Sequence, residues 1–469
     1  MSTISNRPFT EPESNPTRDR VGLLLEAARR GGAYLEGLDE REVFPSVEAR
    51  ANLASFDEAL PTDPQDPFET LSLLDAVGSP ATVASAGGRY FGFVIGGSLP
   101  AALAANVLAA AWDQNAGMMM SSPVAAKLEA VALRWLVEEF GLPAGCGGGF
   151  VSGATMANFS GLAAARHAVL QQVGWEVEAQ GLFGAPPVTV IVGDEVHVSL
   201  LKALTLLGFG RERVVRVPVD NQGRMRAQAL PPISGPTIVC IQAGNVNTGA
   251  FDPALEICRT AHDAGAWVHV DGAFGLWAAA VPARAHLLAG VSEADSWATD
   301  AHKWLNVPYD SGLVFCRNAS DLRAALSHSP AAYLTEGDQR EPMEFTPEMS
   351  RRARGVEVWA ALRSLGKRGL AEMVDGCCRH ATRFAQGLAA AGYEVLNEVQ
   401  LNQVLVSFGS AEKTQQVIRA IQEDGTCWCG GTVWQGQTAM RISVSSWATS
   451  GADVEQSLEA MLRIAAAIE

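Results

Sequence analysis

Nowhere in its 469 residues does the chain hold an uninterrupted apolar run of the length a membrane-spanning helix needs, about 18 residues or more. Positive charge is also in deficit: Lys and Arg number 35 against 51 Asp and Glu, for a formal net charge of −16. That balance argues against a nucleic-acid partner and against adhesion to anionic membranes. Residues 1–20 are polar, carry Pro8, Pro12 and Pro16, and lack the apolar core of a secretion signal. These absences lead to the expectation of a soluble, cytoplasmic protein. The eight cysteines have no zinc-finger spacing. Cys377 and Cys378 adjoin, Cys427 and Cys429 flank Trp428, and neither pair has a second pair or a histidine cluster beside it. Free thiols and no metal are expected.

What is present is a large apolar fraction, 48% of residues, enough for a sizeable core spread over more than one structural unit. The pattern divides the chain into an N-terminal arm with a helical segment over 1–85, a large domain over 86–355 and a small α+β domain over 356–469. Helices are predicted over 21–36, 47–60, 100–112 and 123–140, the last opened by Ser121-Ser122-Pro123 as a cap and first turn. From Gly149 onward short apolar runs alternate with helical patterns. Strands are predicted at 188–192, 213–217, 237–242, 267–270, 296–299 and 312–316, with helices at 156–173, 200–207 and 253–264. That alternation means an α/β domain with a mostly parallel sheet. Beyond it come helices at 356–365 and 371–390, strands at 404–407 and 441–445, and a helix at 453–468.

Four short segments carry the chemistry. In Asp300-Ala-His302-Lys303-Trp304 a lysine follows a predicted buried strand, with a histidine beside it. Desolvation lowers a lysine's pKa, and a neutral amine can attack a carbonyl; alone, such a lysine is an ordinary loop residue. In Trp267-Val-His269-Val-Asp271-Gly-Ala273 a carboxylate closes an apolar strand, at the edge where open α/β sheets bind ligands. Alone it would read as a helix or turn cap. Together, this acid and the later lysine are what pyridoxal 5′-phosphate chemistry needs. The acid keeps a pyridine nitrogen protonated, and the lysine holds an aldehyde as an imine. Gly149-Phe-Val-Ser-Gly153-Ala154-Thr155-Met-Ala-Asn158 reads as a strand running through small residues into a helix, whose first N–H groups suit a phosphate. Its spacing is not that of a G-x-G-x-x-G dinucleotide loop. His197 follows another strand, where an imidazole could stack on a cofactor ring, fill the core or cap a helix.

Together these segments resemble the group II pyridoxal-dependent amino-acid decarboxylases. The likeness is carried by Asp271-Gly-Ala273 with His302-Lys303-Trp304. It extends through Arg89-Tyr-Phe-Gly-Phe93, Ser121-Ser-Pro123, Leu128-Glu129, Arg134-Trp135-Leu136, Gly141-Leu-Pro143 and Gly249-Ala-Phe-Asp252-Pro253 to Arg441-Ile-Ser-Val, and so covers residues 75–460. It implies an α/β, PLP-dependent transferase-like fold of the aspartate aminotransferase type I kind: a large mostly parallel sheet domain with a small C-terminal α+β domain. It also implies a homodimer with active sites at the subunit interface. By the same resemblance, Lys303 tethers the cofactor, His302, Ala154 and Thr155 bind its phosphate, Asp271 pairs with the ring nitrogen, and Ala273 and His197 sandwich the ring. Pro330-Ala-Ala-Tyr333-Leu334, followed by polar residues 335–339, resembles the family's catalytic loop, whose tyrosine returns a proton to the substrate carbon.

The chain also departs from that pattern. Gly87-Gly88 stands where many members have His-Pro, Val94-Ile-Gly-Gly97 where aromatic-specific members have bulky residues and a proline, and Asn245-Val-Asn247-Thr248 in place of a threonine pair. These changes fall near the expected substrate pocket and leave the substrate open. The expected reaction is decarboxylation of an L-amino acid, aromatic in first place, to the amine and CO2, with Phe93 and Trp112 lining the pocket. Beside it stand another reaction of the same cofactor (transamination, carbon–carbon lyase chemistry or oxidative deamination) and a cofactor-binding protein without turnover.

Overall fold

The structure, a computed structural model, describes residues 19–327 and 340–468. The chain divides into two compact units, residues 1–87 and 88–469.

The described part of the first unit is helical, with helices at Arg20–Glu36, Val47–Asn52 and Pro67–Leu73. Asp19, Ser46 and Asp66 cap them, each side chain accepting from a backbone N–H of the first turn. Arg30 ties the first helix to the later stretch, with Nη1 3.0 Å from Asp75 Oδ2 and Nη2 2.8 Å from Ser72 Oγ. The helix expected over 47–60 is shorter. It stops at Asn52 and continues only as a tight turn, Leu53–Phe56, with no residue of either piece buried. Without an apolar stripe packed against a core, little holds a short helix together in water.

In the second unit seven strands form one sheet: β1 (Gly147–Val151), β2 (Thr189–Gly193), β3 (Val215–Val217), β4 (Thr237–Gln242), β5 (Trp267–Asp271), β6 (Ser296–Asp300) and β7 (Gly312–Cys316). Their order is β1-β7-β6-β5-β4-β2-β3. The pairs from β3 through β6 are parallel, and β7 runs antiparallel to both β6 and β1. Every residue of β4, β5, β6 and β7 is buried. Helices cover both faces, so alternate residues enter two different cores. Ile191, Val239, Val268 and Phe315 join one, and Val190, Val192, Ile238, Cys240 and Val314 the other.

After this sheet comes Gly355–Ala390, broken at Gly366, whose φ of 60° interrupts the helix where the sequence predicts two. A four-stranded antiparallel sheet follows, built from β8 (Glu394–Val395), β9 (Gln403–Ser407), β10 (Gly430–Trp434) and β11 (Gln437–Ser443) in the order β10-β11-β9-β8. The helix Ala411–Asp424, which buries Thr414, Val417, Ile418 and Ile421, and the strand β10 are additions to the elements predicted from sequence. The first carries a legible helical spacing. The second opens with two glycines, which have little strand preference of their own.

Candidate active site

The strands β1, β2, β5 and β6 run in one direction, so their carboxyl ends share one edge of the large sheet. The sequence-predicted residues converge there. Asp271 is the last residue of β5 and Asp300 the last of β6, and Lys303 and His302 lie in the single turn Ala301–Trp304 that follows. His197 caps the helix Val198–Leu206 after β2, and Ala154 and Thr155 open the helix Ala154–Gln171 after β1. Ala273 follows Asp271 and donates its N–H to Asp271 Oδ1 at 3.3 Å. Tyr333 lies outside the described residues.

Lys303 Nζ stands 2.8 Å from Asp300 Oδ2. Asp300 is buried, and its Oδ1 has no hydrogen-bond partner among the described residues. His302 Nδ1 accepts from the N–H of Ser311 at 3.0 Å, so a neutral ring carries its proton on Nε2, which lies 3.7 Å from Asp300 Oδ1. Burial is the main influence that pulls the His302 pKa below its usual value, and the ring stacks on Tyr309 with centroids 4.2 Å apart.

The small-residue turn after β1 is needed because backbone meets backbone. A Cβ on Gly312 would lie 2.5 Å from Gly153 Cα, and one on Gly153 would lie 3.2 Å from His302 Cε1. The helix that follows has no side-chain cap, so its opening N–H groups are left for another partner. His197 is half-buried, and its Nδ1 accepts from the N–H of Ser199 at 3.3 Å. Burial chiefly lowers its pKa. Asp271 and Asp300 oppose that shift, while Lys303 and Arg441 add to it, so all four charges act on this one ring.

Asp300, Asn158, His269 and Arg441 belong to this edge without having been given a role from sequence. Arg441, from β11 of the small sheet, reaches Asn247 Oδ1 at 3.2 Å, and burial pushes its guanidinium pKa down to about 10. The unusual segment around Asn245 therefore has a structural reason. Asn245 Oδ1 accepts from the N–H groups of Asn247 and Thr248, which sets Asn247 for Arg441. A polar side chain inside an apolar run, as His269 is in β5, was the available signal for these residues.

The model of the family described as "Pyridoxal-dependent decarboxylase conserved domain" matches residues 83–410. This chain belongs to the pyridoxal-dependent decarboxylase family. Among its relatives is an aromatic-L-amino-acid decarboxylase of Bacillus atrophaeus, 25% identical over 460 residues, with 93% of this chain and 92% of the relative covered. Tryptophan decarboxylase 1 of Oryza sativa subsp. japonica is 27% identical over 455 residues, covering 88% and 87%. The crystal structure of Oryza sativa TDC with PLP and tryptamine superposes with a TM-score of 0.88 at 22% identity, over 98% of this chain and 99% of that one. The protein is thus a carboxy-lyase with pyridoxal 5′-phosphate as its cofactor and the type I fold. The decarboxylase's sheet edge offers groups that would suit this cofactor: an amine, carboxylates, and a tight glycine turn with open N–H groups beside an imidazole.

Proposed function

We propose that this decarboxylase acts on an aromatic L-amino acid, releasing CO2 and the corresponding amine. The observation that carries the reading is the meeting of Asp271, Asp300, Lys303 and His197 at one sheet edge in a chain of this family. Lys303 is the covalent anchor of the cofactor, and Asp271 holds the ring-nitrogen proton. His302, Ala154 and Thr155 bind the phosphate, and Ala273 and His197 face the two sides of the ring. Bound pyridoxal phosphate supplies the electron sink for the carbon that loses CO2. Asp300, 2.8 Å from Lys303 Nζ, would hold the lysine side chain in place beside the cofactor. Tyr333 delivers a proton to the substrate carbon, on the strength of the resemblance of its segment to the family's catalytic loop.

The aromatic preference is supported by the names of the relatives and by an aromatic wall. Tyr90 stacks on Trp428 at 5.2 Å, and Phe93 stacks on Trp428 at 5.7 Å. The same stretch packs on the lysine turn, since a Cβ on Gly96 would lie 1.9 Å from the Lys303 carbonyl oxygen. Incubating the enzyme with a panel of amino acids and measuring CO2 and products tests the reading. CO2 and amine from tryptophan, tyrosine or phenylalanine are expected. CO2 only from acidic or aliphatic amino acids would overturn the substrate class, and carbonyl products in place of amines would favour oxidative deamination.

The working unit in this reading is a homodimer, with a large domain over 86–355, a small one over 356–469 and an N-terminal dimerisation segment over 1–85. The helix Pro100–Trp112 supports it: Ala102 is its one buried residue, and Val107, Leu108 and Trp112 are exposed. Among the described residues no helix is long and apolar enough to cross a membrane, and the cytoplasm is the proposed location.

A further inference from the structure

Behind Asp271 lies a row of buried polar side chains that the decarboxylase's substrate and cofactor do not need to touch. Asn158 Nδ2 is 3.2 Å from Asp271 Oδ2. Asn158 Oδ1 is 2.9 Å from His269 Nε2, and His269 Nδ1 is 2.8 Å from Ser296 Oγ. Ser296 Oγ is 2.9 Å from Trp267 Nε1. Asn158, His269 and Ser296 are completely buried, so water cannot substitute for any link.

The direction of every bond can be derived from the two ends. Asp271 is an acceptor, so Asn158 must turn its amide nitrogen toward it and its oxygen away. That oxygen then needs a donor, so His269 carries a proton on Nε2. At the far end an indole N–H can only donate, so Ser296 Oγ accepts from Trp267. The hydroxyl proton of Ser296 is then free to go to His269 Nδ1, which accepts it if the ring is neutral. Complete burial agrees with a neutral ring, since it drives the His269 pKa down to about 3. A charged ring would give Ser296 a second donor and leave its own hydroxyl proton without a partner. The arrangement therefore has one consistent solution, with each donor pointing along the chain toward Asp271.

Its consequence is an orientation lock. Without the Nε2 proton of His269, the Asn158 amide could rotate and set its oxygen against the Asp271 carboxylate, two acceptors in contact. We propose that Trp267, Ser296 and His269 are positioning residues that fix the Asn158 amide, and through it hold Asp271 for the ring nitrogen of the cofactor. This rests on the reading of Asp271 as the ring-nitrogen partner. Gly161 is part of the device, because a Cβ there would lie 2.7 Å from His269 Cε1 and 2.9 Å from Nδ1.

The test uses holoenzyme loaded with pyridoxal phosphate labelled with 15N in the ring. Its nitrogen shift reports whether the proton shared with Asp271 is in place. In Ser296→Ala the signal should move toward the unprotonated position, and kcat should fall by about ten- to a hundredfold with a smaller change in KM. Ser296→Thr, which keeps the hydroxyl, should restore both. Gly161→Ala, which crowds the imidazole without removing a polar atom, should shift the signal in the same direction. The wild-type enzyme provides a check that needs no variant: 15N spectra of labelled histidine should show His269 with its proton on Nε2. A proton on Nδ1, or an unchanged ring-nitrogen signal in Ser296→Ala, would overturn the lock. Asp271→Ala separates the two levels. If it shifts the ring-nitrogen signal while Ser296→Ala does not, the lock fails and the Asp271 assignment stands. If Asp271→Ala shifts nothing, that assignment falls, and the lock falls with it.

Discussion

Lys303 keeps its amine in place with one short contact, 2.8 Å to Asp300 Oδ2, on a turn that begins directly at the end of β6. In the proposed function this lysine is the residue that forms the imine. Borohydride reduction of the loaded enzyme should therefore leave the cofactor covalently on Lys303, and Lys303→Ala should leave none. Peptide mapping checks this, and an adduct on Lys202 or Lys127 would contradict the assignment. In the proposed function the proton that completes the reaction comes from Tyr333. A phenol has an ordinary pKa of about 10, suited to a strongly basic carbon. Tyr333→Phe should bind substrate normally, make amine at least about tenfold more slowly, and divert part of it to carbonyl product with oxygen uptake. Unchanged amine yield and rate in a product assay would remove Tyr333 from the mechanism. Both residues are proposed from sequence motifs, and Tyr333 lies outside the described residues. The contact of Lys303 with Asp300 was not assigned, although the two stand in the same short motif, because a motif does not state which way a side chain turns.

Among the elements, β1 has most to hold in place, since it delivers the chain to Gly153, Ala154 and Thr155 while lying at the edge of the sheet. Its outward carbonyls are covered by two arginines. Arg340 donates to Gly148 O at 2.7 Å, and Arg351 donates to Phe150 O at 3.0 Å. Both arginines also bind Glu129, on the helix Pro123–Glu139, at 2.9 and 2.7 Å. Glu129 and Arg351 are 2% and 1% exposed, so the pair is shielded from water, and removing one charge strands the other. Glu129→Gln should cost about 3–5 kcal/mol in urea unfolding and weaken cofactor binding through the β1 turn. A loss below about 1 kcal/mol, the range of exposed pairs, would show that the cluster contributes little. The strands themselves were readable from their apolar runs: the expected 237–242 and 312–316 agree with β4 and β7 in both bounds. The helix expected over 47–60 ends early, at Asn52, because none of its residues is buried. Helical spacing argues for a helix only when a buried face rewards it.

For the molecule as a whole, the exposed apolar side of Pro100–Trp112 is what supports the proposed homodimer. In sedimentation the active enzyme should run as a dimer, and activity should fall on dilution into the range where it dissociates. A fully active monomer would contradict this. The sequence by itself determined the alternation of strands and helices, the family and its cofactor; seven of the eight residues it proposes for the site lie at one sheet edge, and Tyr333 lies outside the described residues. Those features are local: apolar spacing, caps and short motifs are set by residues a few positions apart. Only the tertiary structure decided that Asn158 meets Asp271 across 113 positions, and that Arg441 of the small sheet meets Asn247 across 194. Such meetings depend on strand order and on the direction in which buried side chains point. Both are settled when the two faces of the large sheet are covered, and a linear pattern of residue types does not contain them.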